Sequence, residues 1–243
     1  MHNTSNRIEA FEADLAGARK FRKANGRPFI LVSYAQSLDG SIATAGRQQM
    51  QLSGPESMRL THRLRTRCQS ILVGIGTVLA DNPSLTVRLA QGPNPQPIIL
   101  DTRLRTPADA NIVQRSDLST WIINGDHNRF GGIDALAQSN VTIIGCRLDD
   151  DGLIDLQALM DILDRRQIDS VMVEGGARVI TSFIKLKLAD LFVVTVAPKL
   201  AGGLPVIDSR GLQNASNLRL ADVCYQRLGQ DLVVWAHPDW SQL

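Results

Sequence analysis

The chain has 243 residues, of which 44% are hydrophobic and 21% charged, as is ordinary for a folded protein of one large α/β domain or two small ones. A net charge of +2 is too small to indicate binding to nucleic acid or to a membrane. The N-terminus lacks a charged-then-apolar signal pattern and no apolar run could cross a bilayer, so we expect a cytoplasmic protein. Three separated cysteines without metal-ligand spacing argue against a zinc site and indicate reduced thiols.

Residues 1–27 are predicted to form a helical extension of a single domain that spans residues 28–243. Apolar residues recur in this extension at spacings of three and four, namely Ile8, Phe11, Leu15 and Ala18. This spacing predicts one short amphipathic helix that ends at Asn25-Gly26. Its apolar face is expected to pack on the domain or on a partner subunit.

From residue 29 onwards, short apolar strands alternate with helices. The predicted strands are 29–32, 70–73, 97–101, 120–124, 141–145, 170–173, 191–197 and 231–235, the last in a hairpin with 223–228. The predicted helices are 55–68, capped by Ser53, then 153–166 and 177–188. This alternation predicts an α/β fold with a mainly parallel central sheet flanked by helices.

The helix at 55–68 carries several arginines and His62. We interpret them as a solvated basic face. A role in binding nucleic acid is disfavoured, because the segment lacks the aromatic residues that stack on bases.

Polar residues and glycines follow several strands. Residues 37–40 and the segment 197–203, which contains Lys199, could each be a simple turn. Gly74 and Gly76 follow a strand, but Leu79 breaks a dinucleotide-binding fingerprint. Crowded beyond the same strand are three polar residues, Thr77, Asp81 and Arg88. Because ligands bind at the carboxyl ends of strands in open α/β sheets, together they favour a site there.

A second glycine pair, Gly175-Gly176, stands between Glu174 and a predicted helix. The pair could form a tight turn beside an exposed acid. Alternatively it leaves bare backbone N–H groups at a helix N-terminus, where an anion binds well. Glu174 would then face a second ligand, since a carboxylate beside a phosphate would repel it.

Five motifs occur together in this order: S-L-D-G at 37–40, G-T-V-L-A-D-N-P-S-L-T-V-R at 76–88, I-L-D at 99–101, V-E-G-G at 173–176 and A-P-K-L-A-G-G at 197–203. Over residues 27–237 the chain resembles the reductase of riboflavin biosynthesis. The resemblance implies a dihydrofolate-reductase-like fold and a homodimer. It also implies that NADPH reduces a phosphoribosylamino-pyrimidine to its ribitylamino form, by hydride transfer to ribose C1′.

The resemblance also assigns site residues. The implied cofactor contacts are Ala35, Thr77, Asp81, Thr102, Gly175, Gly176, Ala177, Arg178, Val179 and Ile180. The implied substrate contacts are Gln49, Leu85, Arg88 and Glu174, of which Glu174 is also the catalytic candidate. No metal is implied. A guanidinium suits the ribose 5′-phosphate at Arg88, and from charge alone we expect Arg103 or Arg105 to bind the cofactor 2′-phosphate.

Two departures leave the substrate open. Ser33 stands where many bacterial members have lysine, and residues 51–53 replace a common Trp-Ile-Thr run. Residues 34–37 look more like the stand-alone fungal and archaeal enzymes. The substrate is therefore either the 2,5-diamino compound or the deaminated 5-amino uracil compound. The alternatives are a reductase of the same fold with another pterin-like or pyrimidine substrate, or a catalytically silent ligand-binding module.

Overall fold

The computed structural model describes residues 4–125, 136, 139–207 and 218–242. Its strands are β1 (Phe29–Ser37), β2 (Ser41–Ala43), β3 (Ser70–Gly74), β4 (Gln96–Leu100), β5 (Thr120–Gly125), β6 (Val141–Cys146), β7 (Ser170–Gly175), β8 (Leu191–Ala197), β9 (Leu204–Pro205), β10 (Arg219–Leu228) and β11 (Asp231–Asp239). The described helices are α1 (Thr4–Ala16), α2 (Ala18–Asn25), α3 (Pro55–Arg67), α4 (Ile75–Asp81), α5 (Leu156–Arg165) and α6 (Ala177–Lys185), with a final 3₁₀ turn at Trp240–Gln242.

The central sheet has the described order β10-β11-β8-β1-β7-β3-β4-β5-β6. The pairs from β8 to β6 are parallel, while β11 runs antiparallel to β8 and to β10. Every predicted strand is present, and the mainly parallel sheet is confirmed. The short strands β2 and β9 form a separate antiparallel pair that was not predicted.

Continuous apolar runs produce the parallel strands because the sheet is covered on both faces. On β1, Ile30 belongs to a core cluster with α5 and α6, whereas Leu31 belongs to a second cluster with α1 and α3. Both residues have no solvent-exposed surface. Burying a side chain of this size contributes about 2 kcal/mol.

The N-terminal segment forms two helices where one was predicted, since Gly17 separates α1 from α2. Phe11 and Leu15 of α1 are buried against the sheet in the cluster that contains Trp235. The predicted apolar face therefore packs on the body of the same chain. Gly26 ends α2 in the left-handed conformation, as the Asn25-Gly26 pair predicts.

The predicted cap at Ser53 is wrong. The residue that precedes α3 is Gly54, which has no side chain to cap the helix, and its N–H donates to Asp231 Oδ2 at 2.7 Å. The hydroxyl of Ser57 also donates to that oxygen. A carboxylate from the distant strand β11 thus replaces the local cap, a tertiary contact that the local pattern does not encode.

No described helix is both long and apolar enough to cross a membrane.

Candidate active-site crevice

The carboxyl ends of β1, β7, β3 and β4 lie along one edge of the sheet. Val32 is in register with Val173, and Gly74 with Leu100. A crevice of about 1430 Å³ opens at this edge. Open parallel sheets bind ligands at this position, because the loops that follow neighbouring strands diverge there. The volume exceeds that of a typical site for one small ligand.

A bulge in β7 sets the position of Glu174. On the neighbouring strand β3, Leu72 pairs with Val173 and the next residue, Val73, pairs with Gly175. Glu174 is therefore the extra residue and is skipped by the ladder. Bulges redirect side chains beside functional sites, and Glu174 lines the crevice.

Arg65 of α3 holds Glu174 with two hydrogen bonds. Its Nε donates to Oε1 and its Nη2 to Oε2, both at 2.7 Å. The two side chains are only 10% and 13% exposed. A bidentate pair of this kind fixes the plane of the carboxylate as well as its position.

The same face of α3 also holds the loop at 84–88. Arg65 Nη1 donates to the carbonyl of Thr86 at 2.9 Å, and the buried His62 accepts the backbone N–H of Arg88 on Nδ1 at 2.9 Å. Burial and the neighbouring charges of Arg65 and Arg88 lower the pKa of His62 to about 4. The imidazole is therefore neutral near pH 7 and can accept this hydrogen bond.

The interpretation of α3 as a solvated basic face is wrong for Arg65 and His62. It holds for Arg59 and Arg63, whose side chains are more than half exposed. Arg65 adjoins the buried Leu64 and lies one turn after Thr61, which also lines the crevice, so the fold and not the local sequence distinguishes it from the exposed arginines.

The N-terminus of α6 forms a second wall of the crevice. Gly176 precedes the helix with φ +82°, a conformation that favours glycine, and no side chain caps the helix start. Ala177 through Ile180 line the crevice. A nine-residue helix with an uncapped N-terminus presents backbone N–H groups and a positive dipole end to an anion.

Glycines also bring the elements of this wall close together. A Cβ on Gly176 or Gly175 would lie 3.2 Å from Thr77 Oγ1, and a Cβ on Gly74 would lie 2.8 Å from Val179 Cγ2. The start of α6 therefore sits directly against β3 and α4. These glycines serve close packing as well as an open backbone.

The loop after β4 brings Thr102, Arg103 and Arg105 to the crevice. The fully buried Asp101 shapes this loop, since its Oδ2 accepts the N–H and hydroxyl of Thr106 at 2.7 and 2.8 Å. Arg103 and Arg105 are both exposed, and Arg105 Nε lies 4.0 Å from Asp101 Oδ1.

Most of the residues assigned from the resemblance meet in the crevice. Those that line it are Ala35, Gln49, Thr77, Asp81, Thr102, Glu174, Gly176, Ala177, Arg178, Val179 and Ile180. Burial raises the pKa of Asp81.

Three assigned residues lie outside the lining. Gly175 is buried behind Thr77, and Leu85 is 5% exposed in a core cluster with φ +51°. Arg88 has an exposed side chain, and its backbone is tied to His62.

The positions that depart from the resemblance belong to the site as well. Ser33 is 6% exposed at the crevice wall, beside Tyr34, whose pKa burial raises to about 12. Lys199 donates from Nζ to the carbonyl of Gln51 at 2.6 Å. Lys199 therefore supports the segment at 49–53 and does not line the crevice.

A mainly parallel sheet with a large crevice at its carboxyl edge defines an α/β protein of the ligand-binding, open-sheet class. The family model of the RibD C-terminal domain matches residues 28–234. The chain belongs to this family, and the predicted α/β fold with a mainly parallel sheet is confirmed.

Two relatives illustrate the similarity. A riboflavin biosynthesis protein RibD of Aquifex aeolicus is 33% identical over 86% of this chain and 57% of its own length. A 2,5-diamino-6-ribosylamino-4(3H)-pyrimidinone 5′-phosphate reductase of Methanothermobacter thermautotrophicus is 32% identical over 86% of this chain and 97% of its own length. The chain thus spans little more than half of the first relative and nearly all of the second.

A solved structure agrees with this assignment. The riboflavin biosynthesis reductase of Saccharomyces cerevisiae superposes with a TM-score of 0.70 at 28% identity, over 88% of this chain and 90% of that one.

Proposed function

We propose that the protein is an NADPH-dependent reductase that converts the ribosyl group of a 5-phosphoribosylamino-pyrimidine to a ribityl group in riboflavin biosynthesis. One observation carries the proposal. A clamped carboxylate at Glu174 and an uncapped helix start at Gly176 are two residues apart in the chain and line the same crevice. The first suits a ligand rich in hydroxyl and amino groups, and the second suits a phosphate.

The substrate side of the proposal rests on Glu174. Both carboxylate oxygens are bound by Arg65, yet each carboxylate oxygen has a further lone pair that can accept a donor. A ribosylamine offers such donors in its hydroxyl and amino groups. Gln49 lines the crevice and supplies an amide as a further proposed substrate contact. Leu85 and Arg88 belong to the loop that Arg65 and His62 hold.

The cofactor side rests on the N-terminus of α6. Its uncapped N–H groups and the side chain of Arg178 suit a pyrophosphate. Thr77, Asp81 and Thr102 are the proposed polar contacts to the rest of the cofactor, with Ala35 as a backbone contact. Arg103 and Arg105 suit the 2′-phosphate that distinguishes NADPH from NADH.

NADPH, when bound, would supply the hydride that reduces the ribosyl carbon, and one proton would be taken up with each hydride transferred. The chain's own residues then have the tasks of binding, alignment and exclusion of water. Glu174 would orient the ribosyl group, because Arg65 leaves the carboxylate a single orientation. The described residues contain no group of three or more His, Cys, Asp or Glu side chains that could hold a metal ion.

The test is the loss of NADPH absorbance with purified protein and each of two substrates, the 2,5-diamino compound and the deaminated 5-amino uracil compound. Turnover of one compound would support the proposal and identify the branch of the pathway. NADPH binding without turnover of either would contradict it, and would favour another pyrimidine or pterin-like substrate or a silent binding module.

A homodimer and a cytoplasmic location are parts of the same proposal. The edge hairpin of β10 and β11 exposes Tyr225 and Leu232 on the face opposite the buried Trp235. A second copy would cover this apolar surface and the outer edge of β10, which pairs with no further described strand. Light scattering coupled to size-exclusion chromatography should give twice the chain mass, and a Tyr225→Glu variant should shift it to the monomer.

A further inference from the structure

Asp39 joins two loops that are distant in sequence. Its Oδ1 accepts hydrogen bonds from the Ser37 hydroxyl at 2.5 Å and the N–H of Ala201 at 3.0 Å. Its Oδ2 accepts the N–H of Gly202 at 2.7 Å and the Ser41 hydroxyl at 3.3 Å. Each carboxylate oxygen thus accepts one hydrogen bond from the loop at 37–41 and one from the loop at 199–203.

The joined loops pack at closest contact. A Cβ placed on Gly203 would lie 2.0 Å from the carbonyl oxygen of Ala43, so no larger residue fits there. The N–H of Gly203 donates to Ser41 Oγ at 2.8 Å, and that of Leu38 donates to the Lys199 carbonyl at 2.7 Å. The two motifs at 37–40 and 197–203 therefore form one structural unit.

This unit continues into the rim of the crevice. β2 pairs with β9, and Ile42, Ala43, Leu204 and Pro205 all line the crevice. Ala43 also forms a bridge with Gln49, a proposed substrate contact. Displacing the two joined loops would displace this whole rim, whereas α6 and the loop after β4 would stay attached to the central sheet.

We propose that Asp39 is a positioning residue for the pyrimidine side of the crevice, which it fixes by holding the loop at 37–41 against the loop at 199–203. This inference rests on the proposed function, since it assigns the rim to the substrate. Asp39 itself is exposed and does not line the crevice, so it acts through β2, β9 and Gln49.

The isosteric variant Asp39→Asn tests the role. Because Oδ1 and Oδ2 each face a backbone N–H, the amide nitrogen of asparagine must oppose one of them. We expect the KM for the pyrimidine to rise about 10-fold, the loss typical of one charge-assisted hydrogen bond, while the KM for NADPH stays within about two-fold. Asp109→Asn is the matched control, because Asp109 is exposed and outside the crevice.

Hydrogen exchange provides a readout that does not depend on activity. In Asp39→Asn, amide exchange should accelerate at 41–43 and 201–206 and stay unchanged at 177–180. Unchanged exchange at the joined loops would overturn the proposal, as would equal rises in both KM values with active wild-type protein. Wild-type protein that turns over neither pyrimidine would overturn the proposed function, and the role of Asp39 with it.

Discussion

The two walls of the crevice are built in different ways. The wall around Glu174 is held by side chains, with Arg65 and His62 of α3 bound to β7 and to the loop at 84–88. The wall around Gly176 is held by backbone packing, with glycines that bring α6 against Thr77 and β3. The helix start on this second wall has no side-chain cap.

The difference corresponds to two kinds of ligand. A bidentate ion pair has one geometry, so the first wall is fixed before a ligand arrives, which lowers the cost of aligning it. Uncapped N–H groups at a helix start can bind phosphate oxygens in several arrangements. We therefore expect damage to the first wall to affect turnover, and damage to the second to affect cofactor binding.

The largest effect is expected at the ion pair. Glu174→Gln or Arg65→Met should lower kcat/KM for the pyrimidine by about 100-fold, since misplacement of a contact group by about 1 Å can cost this much. NADPH affinity should change by no more than about three-fold. Steady-state kinetics and NADPH fluorescence titration measure the two quantities, and Arg63→Met on the exposed face of α3 is the control.

The double variant shows whether Arg65 acts through Glu174. If it does, Arg65→Met should add little to the loss already caused by Glu174→Gln, because residues that act as a unit are not additive. Multiplied losses would mean that Arg65 contributes independently. The thermal stability of each variant should be measured beside the kinetics, because unpairing a buried ion lowers the free energy of unfolding by about 3–5 kcal/mol.

A smaller effect is expected at the other wall. Gly176→Ala strains a residue at φ +82° and places a methyl group 3.2 Å from Thr77 Oγ1. We expect the KM for NADPH to rise about 10-fold through displacement of the helix start. Gly26→Ala is the matched control, because Gly26 has φ +67° with open space around it. Equal effects of both variants on the KM for NADPH would count against the assignment of this wall to the cofactor.

The preference between cofactors should change at the loop after β4. Arg105→Gln should raise the KM for NADPH about 10-fold, the value of one charge-assisted contact, and leave the KM for NADH unchanged. Arg103→Gln, measured in parallel, identifies which guanidinium binds the 2′-phosphate. If the KM values for NADPH and NADH rise equally in both variants, neither arginine binds that phosphate.

The smallest effect near neutral pH concerns stability, because it develops only below pH 6.5. Since the folded-state pKa of His62 is lowered from 6.5 to about 4, its contribution is complete above pH 6.5 and is lost as the pH falls towards 4. The loss amounts to at most about 3 kcal/mol. In His62→Asn, which keeps an acceptor for the N–H of Arg88, chemical denaturation should show a flatter decline of stability over this pH range. A decline as steep as that of the wild type would assign the effect to other groups.

The sequence predicts the sheet well because its signal is local. Buried parallel strands are continuous apolar runs, so β8 was predicted at its observed ends. Strands β2 and β9 have only three and two residues and carry no such run. Their pairing depends on Asp39 and Gly203, which are far apart in the chain.

Site residues were predictable from the sequence where they belong to a recognisable motif. The resemblance pointed to Glu174 and to Gly176, and both line the crevice. Arg65 and His62 were missed because a helix rich in arginine is usually solvated, and only the tertiary contact with β7 and the 84–88 loop distinguishes these two residues. The bulge at Glu174 could not be predicted from the sequence either, because it is defined by the register of β7 against β3.

The packing of α1 also affects the order in which contacts of the core can form during folding. Phe11 stacks on Trp235 with ring centroids 5.9 Å apart, and Asp14 meets His237, a residue 223 positions later in the chain. During synthesis, the contact of Phe11 with Trp235 therefore cannot form until β11 has emerged. We expect burial of Trp235 to follow formation of the parallel strands during refolding, and Phe11→Ala to speed unfolding without slowing folding. A slower folding rate in that variant would place the contact early instead.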